Sequence, residues 1–389
     1  MPSLRILFAI GSLSGGGSER QLLGIMQRLD RSRFTPLLYM IEETGELLPE
    51  LPSDVKRYAF NKRHAPPKLN WPGRLYRRQT RDLAAVLDAE KIDVIYDRTF
   101  PMTLVTAGAT RHRPTARVSV AVSHPRHDFE RTVHKFKAMK KRMLRRAYQE
   151  ADLVLAVSEG VRQSLIAEFD VSPQSVLALS NMLDLDRLNA TLNEGDGSFP
   201  PDRFHIVTAG RLAPEKGYDV LLDAVAEMVK QGTTDIRLHL FGQGPLEAEL
   251  KNHAAKLQIE PYVDFAGFQP NICGWLRRGD VFVLSSNYEG SPNALIEAAA
   301  MGVPVISTDC EFGPREILEE GRWGELVPVG DAKALAAGIL RVKEKYDAMM
   351  ARAREAKQAM LARYSPVTGQ HAVEAALVRA HENWRNHLG

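Results

Sequence analysis

Two kinds of segment alternate along this chain. Short continuous apolar runs occur at Leu4–Ile10, Thr35–Ile41, Asp93–Tyr96, Ala116–Val122, Ala151–Val157, Phe204–Ala209, Arg237–Phe241, Val263–Phe268, Val281–Ser285 and Val303–Thr308. Between them lie stretches with apolar residues at helical spacing, such as Glu19–Leu29 and Thr80–Glu90. Unbroken apolar runs predict strands buried on both faces, and strand–helix alternation predicts a parallel sheet with crossover helices. The fold class expected is therefore α/β.

The stretch VFVLSSNYEGSPNALIEAAAMGVPVIST, Val281 to Thr308, is the most informative. It predicts strand, turn, short helix and strand. Ser291 is expected to cap the helix, with Pro292 at its first position, where a missing N–H costs nothing. Gly302 and Pro304 mark its end. Such a helix would aim the N–H groups of Asn293, Ala294 and Leu295 into the crevice at the carboxyl end of the sheet, an anion site suited to phosphate. Glu297 interrupts the apolar run of that helix and needs a hydrogen-bonding partner. A ribose diol below a bound diphosphate would serve, and so would a basic side chain. Glu289, in the turn before the cap, faces whatever is attached to the far phosphate or is a solvated turn residue.

Three other places carry candidate chemistry. The first strand runs into GSLSGGGSER, where Gly15, Gly16 and Gly17 let backbone approach a ligand and Ser18 is the expected helix cap. This loop is neither G-x-G-x-x-G nor a P-loop. The strand ending at Val122 leads into SHPRHD, with His124 at the carboxyl edge and His127 as the competing candidate. The strand Phe204–Ala209 leads into GRLAPEKG, where Arg211 and Lys216 suit a diphosphate, one as a fork and the other as a point charge. Solvated loop cations are the alternative. The run Arg131–Ala147 predicts a basic amphipathic helix, either packed on its sheet or attracted to anionic lipid headgroups.

Composition narrows the classes. The chain has 389 residues, 44% hydrophobic and 25% charged, with a formal net charge of +3. That length is a prior for two domains, and the small net charge leaves attraction to anions to local patches. Cys273 and Cys310 have neither metal-like spacing nor disulfide density and fit a reducing cytosol. No apolar run approaches a membrane span, and the opening MPSLRILFAIG reads as a strand and not a signal peptide. Nothing in the pattern supports nucleic-acid binding.

Glu289, Gly290, Ser291, Pro292 and Glu297 resemble the E-x7-E pattern of retaining nucleotide-sugar glycosyltransferases with the GT-B fold, the glycogen-synthase-like and mannosyltransferase-like group. The wording GRLAPEKG resembles the same family's G-R-L-x-x-x-K-G, GGGSER its first glycine loop, and TDCEFGPREI its members that build membrane-linked glycans. The resemblance covers almost the whole chain. It implies two Rossmann-like domains facing across a cleft: an acceptor domain 1–188, a linker 189–203 and a donor domain 204–365, with the segment 366–389 packing back on the first. It implies that Glu289 contacts the transferred sugar, that Glu297 binds ribose, and that Arg211 and Lys216 hold the donor phosphates. Gly16 and Gly17 would face the diphosphate and the acceptor. His124 or His127 would lie on the acceptor side, and Phe268 near the base. The donor expected is a UDP-sugar carrying a hexose or N-acetylhexosamine. The acceptor expected is a glycan, lipid-linked on polyprenyl diphosphate or lipopolysaccharide, met at the cytoplasmic membrane face. No metal or other cofactor is expected, since the Asp-rich metal motif of the other major transferase fold is missing. A nucleotide-sugar epimerase or hydrolase of the same fold is the alternative, as is transfer to a small soluble acceptor.

Overall fold

The computed structural model describes residues 3–65, 71–133, 135–193, 199–269 and 271–388. The chain divides into two compact units, 1–182 with 367–389, and 183–366. In the first, strands β1 (Leu4–Ile10), β2 (Phe34–Met40), β3 (Lys56–Ala59), β4 (Val94–Arg98), β5 (Ala116–Ala121), β6 (Leu153–Ala156) and β7 (Val176–Ala178) form one sheet in the order 3-2-1-4-5-6-7. In the second, β8 (Phe204–Ala209), β9 (Ile236–Phe241), β10 (Val263–Gly267), β11 (Val281–Leu284), β12 (Val305–Thr308) and β13 (Glu325–Val327) form a sheet in the order 10-9-8-11-12-13. Every pairing between named strands is parallel. Both are doubly wound Rossmann-like sheets. The strand order reverses between β1 and β4 in one and between β8 and β11 in the other, and ligands bind at the carboxyl end of such switch points.

The continuous apolar runs have a simple cause. Side chains alternate across a strand, so a sheet covered on both sides needs both sets apolar. In the second unit Ile206, Val281, Val283 and Ile306 pack against the helices Tyr218–Lys230 and Ala332–Glu344. Their chain neighbours Val207, Phe282, Leu284 and Val305 pack on the opposite side with Leu295, Ile296 and Ala299 of the helix Asn293–Met301.

Two details differ from the sequence reading. The strands β3, β7 and β13 were not foreseen: they are short, at or next to sheet edges, and only partly apolar. The division between units falls after Met182, ahead of the expected linker. Leu183 and Leu188 are buried in the second unit's core, the Leu183 amide bonds the Tyr364 carbonyl at 2.9 Å, and 185–193 is helical. The centre of the expected linker, 194–198, lies outside the described residues. Beyond it Phe199 stacks on His239 and His205, with ring centres 4.1 and 4.6 Å away. The last helix, Pro366–Leu388, groups with the first unit, where the Asn383 amide donates to the Asp152 carbonyl at 3.1 Å.

The basic helix is broken in two. One piece covers Pro125–Thr132 and the other Lys137–Gln149, with Phe136 in the left-handed region at φ 57° between them. Leu144, Ala147 and Tyr148 are core, whereas Phe136 and Met139 are 56% and 54% exposed. The end of the segment thus packs on its sheet, as one of the two alternatives had it, while its start stays exposed. Arg145 and Arg146 are paired with Asp170 and Glu150. Among the described residues Lys137, Lys140, Lys141 and Arg142 have no carboxylate partner. No helix among the described residues is long and apolar enough to cross a membrane.

The first sheet also buries a charge. Asp97 on β4 is fully buried and accepts from Thr103 at 2.6 Å, Thr106 at 2.7 Å and Ser119 at 2.8 Å. Arg117, also buried, donates to Ser119 Oγ at 2.8 Å and to the Ala147 carbonyl. Burial pushes the Asp97 carboxyl up against the pull of Arg117 and the three hydroxyls. Asp97→Ala would strand the Arg117 charge and three hydroxyls. It should destabilise the first unit by roughly 3–5 kcal/mol, read by denaturant unfolding.

Candidate functional site

The loops after β8 and β11 sit side by side because their strands are neighbours at the switch point. Four hydrogen bonds stitch them together. Ser285 Oγ donates to the Lys216 carbonyl at 2.8 Å, the Asn287 amide to the Glu215 carbonyl at 2.8 Å, and Asn287 Nδ2 to the Pro214 carbonyl at 2.8 Å. The fourth joins side chains: Lys216 Nζ lies 2.6 Å from Glu289 Oε1. A third loop joins from β12, where Thr308 Oγ1 donates to the Ser286 carbonyl at 2.6 Å and Tyr288 bridges Glu311.

Close approach dictates Gly217. It has φ +57°, and a Cβ there would stand 2.3 Å from the Ser285 carbonyl oxygen. The glycine ends the turn Pro214–Lys216 and starts the helix Tyr218–Lys230, so Lys216 is held at a fixed distance from β11.

The ion pair is largely withdrawn from solvent, the side chains being 20% exposed for Lys216 and 10% for Glu289. Burial works against the ammonium, but the Glu289 carboxylate outweighs it and Lys216 is pushed up to about 12. Burial also pushes Tyr218 and Cys310 up to about 12, so both stay neutral at working pH. Arg211, by contrast, is exposed at the carboxyl end of β8 and forms no ion pair among the described residues.

The helix Asn293–Met301 starts one residue later than expected. Pro292, extended at φ −70° and ψ 104°, occupies the cap position in place of Ser291. Its carbonyl accepts from the Leu295 amide at 3.1 Å and from Ile296 at 3.3 Å. The Leu295 N–H is therefore committed within the helix, and the expectation that it serves an anion is corrected: the first turn tightens onto proline's carbonyl. Asn293 and Ala294 are partly exposed at the helix start, Gly290 is buried, and Ser291 is partly buried. Glu297 lies one turn in and is partly exposed, although Ile296 and Ala298 on either side are buried. Gly302 closes the helix at φ 81°, as the sequence reading had it. Phe268 follows β10 at the far edge of the same carboxyl side and is partly buried.

The remaining candidates lie in the first unit. Gly16 is the cap residue of the helix Gly17–Arg28, displacing Ser18 from that role. Ser18 Oγ instead accepts from Arg98 Nε at 3.2 Å, and another Arg98 nitrogen donates to Asn181 at 3.1 Å. His124 caps the helix Pro125–Thr132 and is fully buried, its ring edge-on to His127 at 4.2 Å.

The sequence reading missed Ser286, Asn287, Thr308 and Arg98. Two serines directly after a wholly apolar strand, and a cation ending one, were the available signals. Gly217→Ala should cost roughly 1–3 kcal/mol of stability, because the turn must open around the new Cβ. Thermal unfolding of the purified chain measures it.

Known proteins match both halves. The model for Glycosyltransferase Family 4 matches residues 15–187, and that for Glycosyl transferases group 1 matches residues 203–345. A Campylobacter jejuni enzyme, N-acetylgalactosamine-N,N'-diacetylbacillosaminyl-diphospho-undecaprenol 4-alpha-N-acetylgalactosaminyltransferase, is 30% identical over 224 residues, 58% of either chain. A putative colanic acid biosynthesis glycosyltransferase of Salmonella typhimurium is 29% identical over 220 residues, 54% of this chain and 52% of that one. The chain spans about half the length of the relatives it matches. Anabaena HepE, solved in complex with UDP-glucose, superposes with a TM-score of 0.79 at 22% identity, covering 96% of this chain and 99% of HepE. Both halves of the chain thus match glycosyltransferase families, and its fold is that of the GT-B glycosyltransferases.

Proposed function

We propose that this chain transfers a hexose or N-acetylhexosamine from a UDP-sugar, with retention of configuration, to a lipid-linked glycan acceptor in cell-surface polysaccharide synthesis. The observation that carries the reading is the Lys216–Glu289 pair at the switch point of the second sheet, beside exposed Arg211 and the start of the helix bearing Glu297. A nucleoside diphosphate needs cations at its leaving oxygens, and preorganised charge there stabilises the transition state. Arg211, Lys216 and the helix start would supply it without a metal. Glu297 would hold the ribose diol, Phe268 would flank the base, and Glu289 with Gly290 and Ser291 would face the sugar. Gly16 and Gly17 would meet the diphosphate, and His124 or His127 would act on the acceptor side. Retention and these roles rest on the E-x7-E resemblance. Support for the donor comes from HepE, which was solved with UDP-glucose, and for the acceptor from the diphospho-undecaprenol in the Campylobacter enzyme's name.

The test is a panel of UDP-sugars assayed for UDP release with chelator present, followed by titration calorimetry with UDP. Glu297→Ala should weaken UDP binding, whereas Glu289→Ala should leave it within about twofold and lower turnover by a factor on the order of 100 or more. Equal loss of UDP affinity in both variants would end this division of roles.

Contact with anionic lipid at the cytoplasmic membrane face is part of the same proposal. Phe136 and Met139 are exposed beside Lys137, Lys140, Lys141 and Arg142, and a cavity of about 130 Å³ lined by Phe129, Phe169, Lys137 and Lys141 opens nearby. Binding to vesicles containing phosphatidylglycerol should fall as salt rises, since screening acts over about 10 Å at 0.1 M. It should also fall when those four cations are changed to Gln. Absence of vesicle binding at low salt would favour a soluble acceptor.

A further inference from the structure

The Glu289 carboxylate is held unevenly. Oε1 accepts from Lys216 Nζ at 2.6 Å and from Ser286 Oγ at 2.7 Å. Oε2 accepts no hydrogen bond among the described residues. Ser286 is 0% exposed, so no ligand reaches it. Its carbonyl is clamped by Thr308 Oγ1 at 2.6 Å, which fixes the base of its side chain to β12.

Lys216 and Ser286 differ as partners. An ammonium on a four-carbon stem is a mobile point charge, and a diphosphate arriving beside it competes for it. Glu289, nearly buried, would then have one donor fewer to hold it in place and would be free to turn. The serine hydroxyl has no such rival, because its proton is committed to Oε1 and its backbone is pinned.

We propose that Ser286 is a positioning residue for sugar transfer: it holds Glu289 by Oε1, presents Oε2 to the transferred sugar, and keeps that aim when Lys216 turns to the donor diphosphate. This rests on the reading of Glu289 as the sugar-facing carboxylate. Lys216, Tyr218 and Cys310, which feel the Glu289 charge, are each pushed up to about 12, so none of the three titrates around neutral pH.

The experiment compares Ser286→Ala, Ser286→Thr, Glu289→Gln and the Ser286→Ala/Glu289→Gln double variant in the full chain. The probe is UDP release from UDP-glucose or UDP-N-acetylgalactosamine, whichever turns over. Ser286→Ala should lower kcat roughly 10- to 100-fold, the worth of one hydrogen bond to a charged group, with KM for the UDP-sugar little changed. Ser286→Thr should restore most of the rate, and the double variant should be no slower than Glu289→Gln alone. A normal kcat in Ser286→Ala beside a crippled Glu289→Gln overturns the proposal and leaves the reading of Glu289 standing. A normal kcat in Glu289→Gln overturns that reading itself. A slower Ser286→Ala with a lowered thermal midpoint, whose substitution also slows Glu289→Gln further, assigns Ser286 a structural role only, and also overturns the proposal.

Discussion

An ammonium and a carboxylate drawn from solvent onto one another set the terms for the second unit. The Lys216–Glu289 pair spans two loops 73 residues apart in sequence. Removing two ions from water costs several kcal/mol each, and only close geometry with added hydrogen bonds recovers it. The surrounding structure supplies that geometry. Neighbouring parallel strands bring the loops together, and Gly217 allows Lys216 to lie against β11. Ser285, Asn287 and Thr308 then tie the loops to each other and to β12. The backbone that carries the pair is thus fixed before any ligand arrives, so only the Lys216 side chain would have to turn toward the diphosphate of the proposed donor.

Much of this was legible in the sequence, for a physical reason. A parallel sheet buried on both faces must be written as continuous apolar runs, and its loops must leave at the carboxyl edge. Val281–Leu284 and Phe204–Ala209 therefore announced themselves, and with them the placement of Arg211, Lys216 and Glu289. Peripheral strands are under no such pressure. Lys56–Ala59 is largely exposed, and Glu325–Val327 lies at a sheet edge. The helix start was misplaced by one residue because Pro292 suits either the cap or the first turn. The hydrogen bond that decided it, from Leu295 to the Pro292 carbonyl, leaves no trace in composition. Ser286 was invisible for a similar reason. A serine reads as a turn residue until its distance to Glu289 is known.

The basic segment around Phe136 shows why one periodicity can support two readings. Its apolar positions from Met139 onward lie on one helix, Lys137–Gln149, but only the far end of that helix meets the core. There Leu144, Ala147 and Tyr148 are buried. At its start Phe136 and Met139 remain outside, with four cations that have no carboxylate partner among the described residues. Exposed aromatic and thioether groups set among unpaired cations are matched by an apolar layer with an anionic face. Arg145 and Arg146, already neutralised by Asp170 and Glu150, have little left to contribute to such a surface.

Two of the buried carboxylates of this protein, Asp97 and Glu289, show how differently such a group can be held. Asp97 lies in the middle of the first sheet and is satisfied on both oxygens, Oδ1 by Thr103 and Oδ2 by Thr106 and Ser119. Nothing is left over, and the group can only hold its helix to its sheet. Glu289 has two donors, Lys216 and Ser286, and both converge on Oε1. Among the described residues Oε2 has no donor, and at a nearly buried position that is a free-energy cost which, on the proposed role, a sugar hydroxyl would relieve. A hydroxyl bound there gains a charged acceptor already fixed in direction, so part of the ordering that transfer requires has been met during folding. On the proposed role of Glu289, it is this asymmetry, more than burial, that would separate a carboxylate facing a ligand from one serving the core.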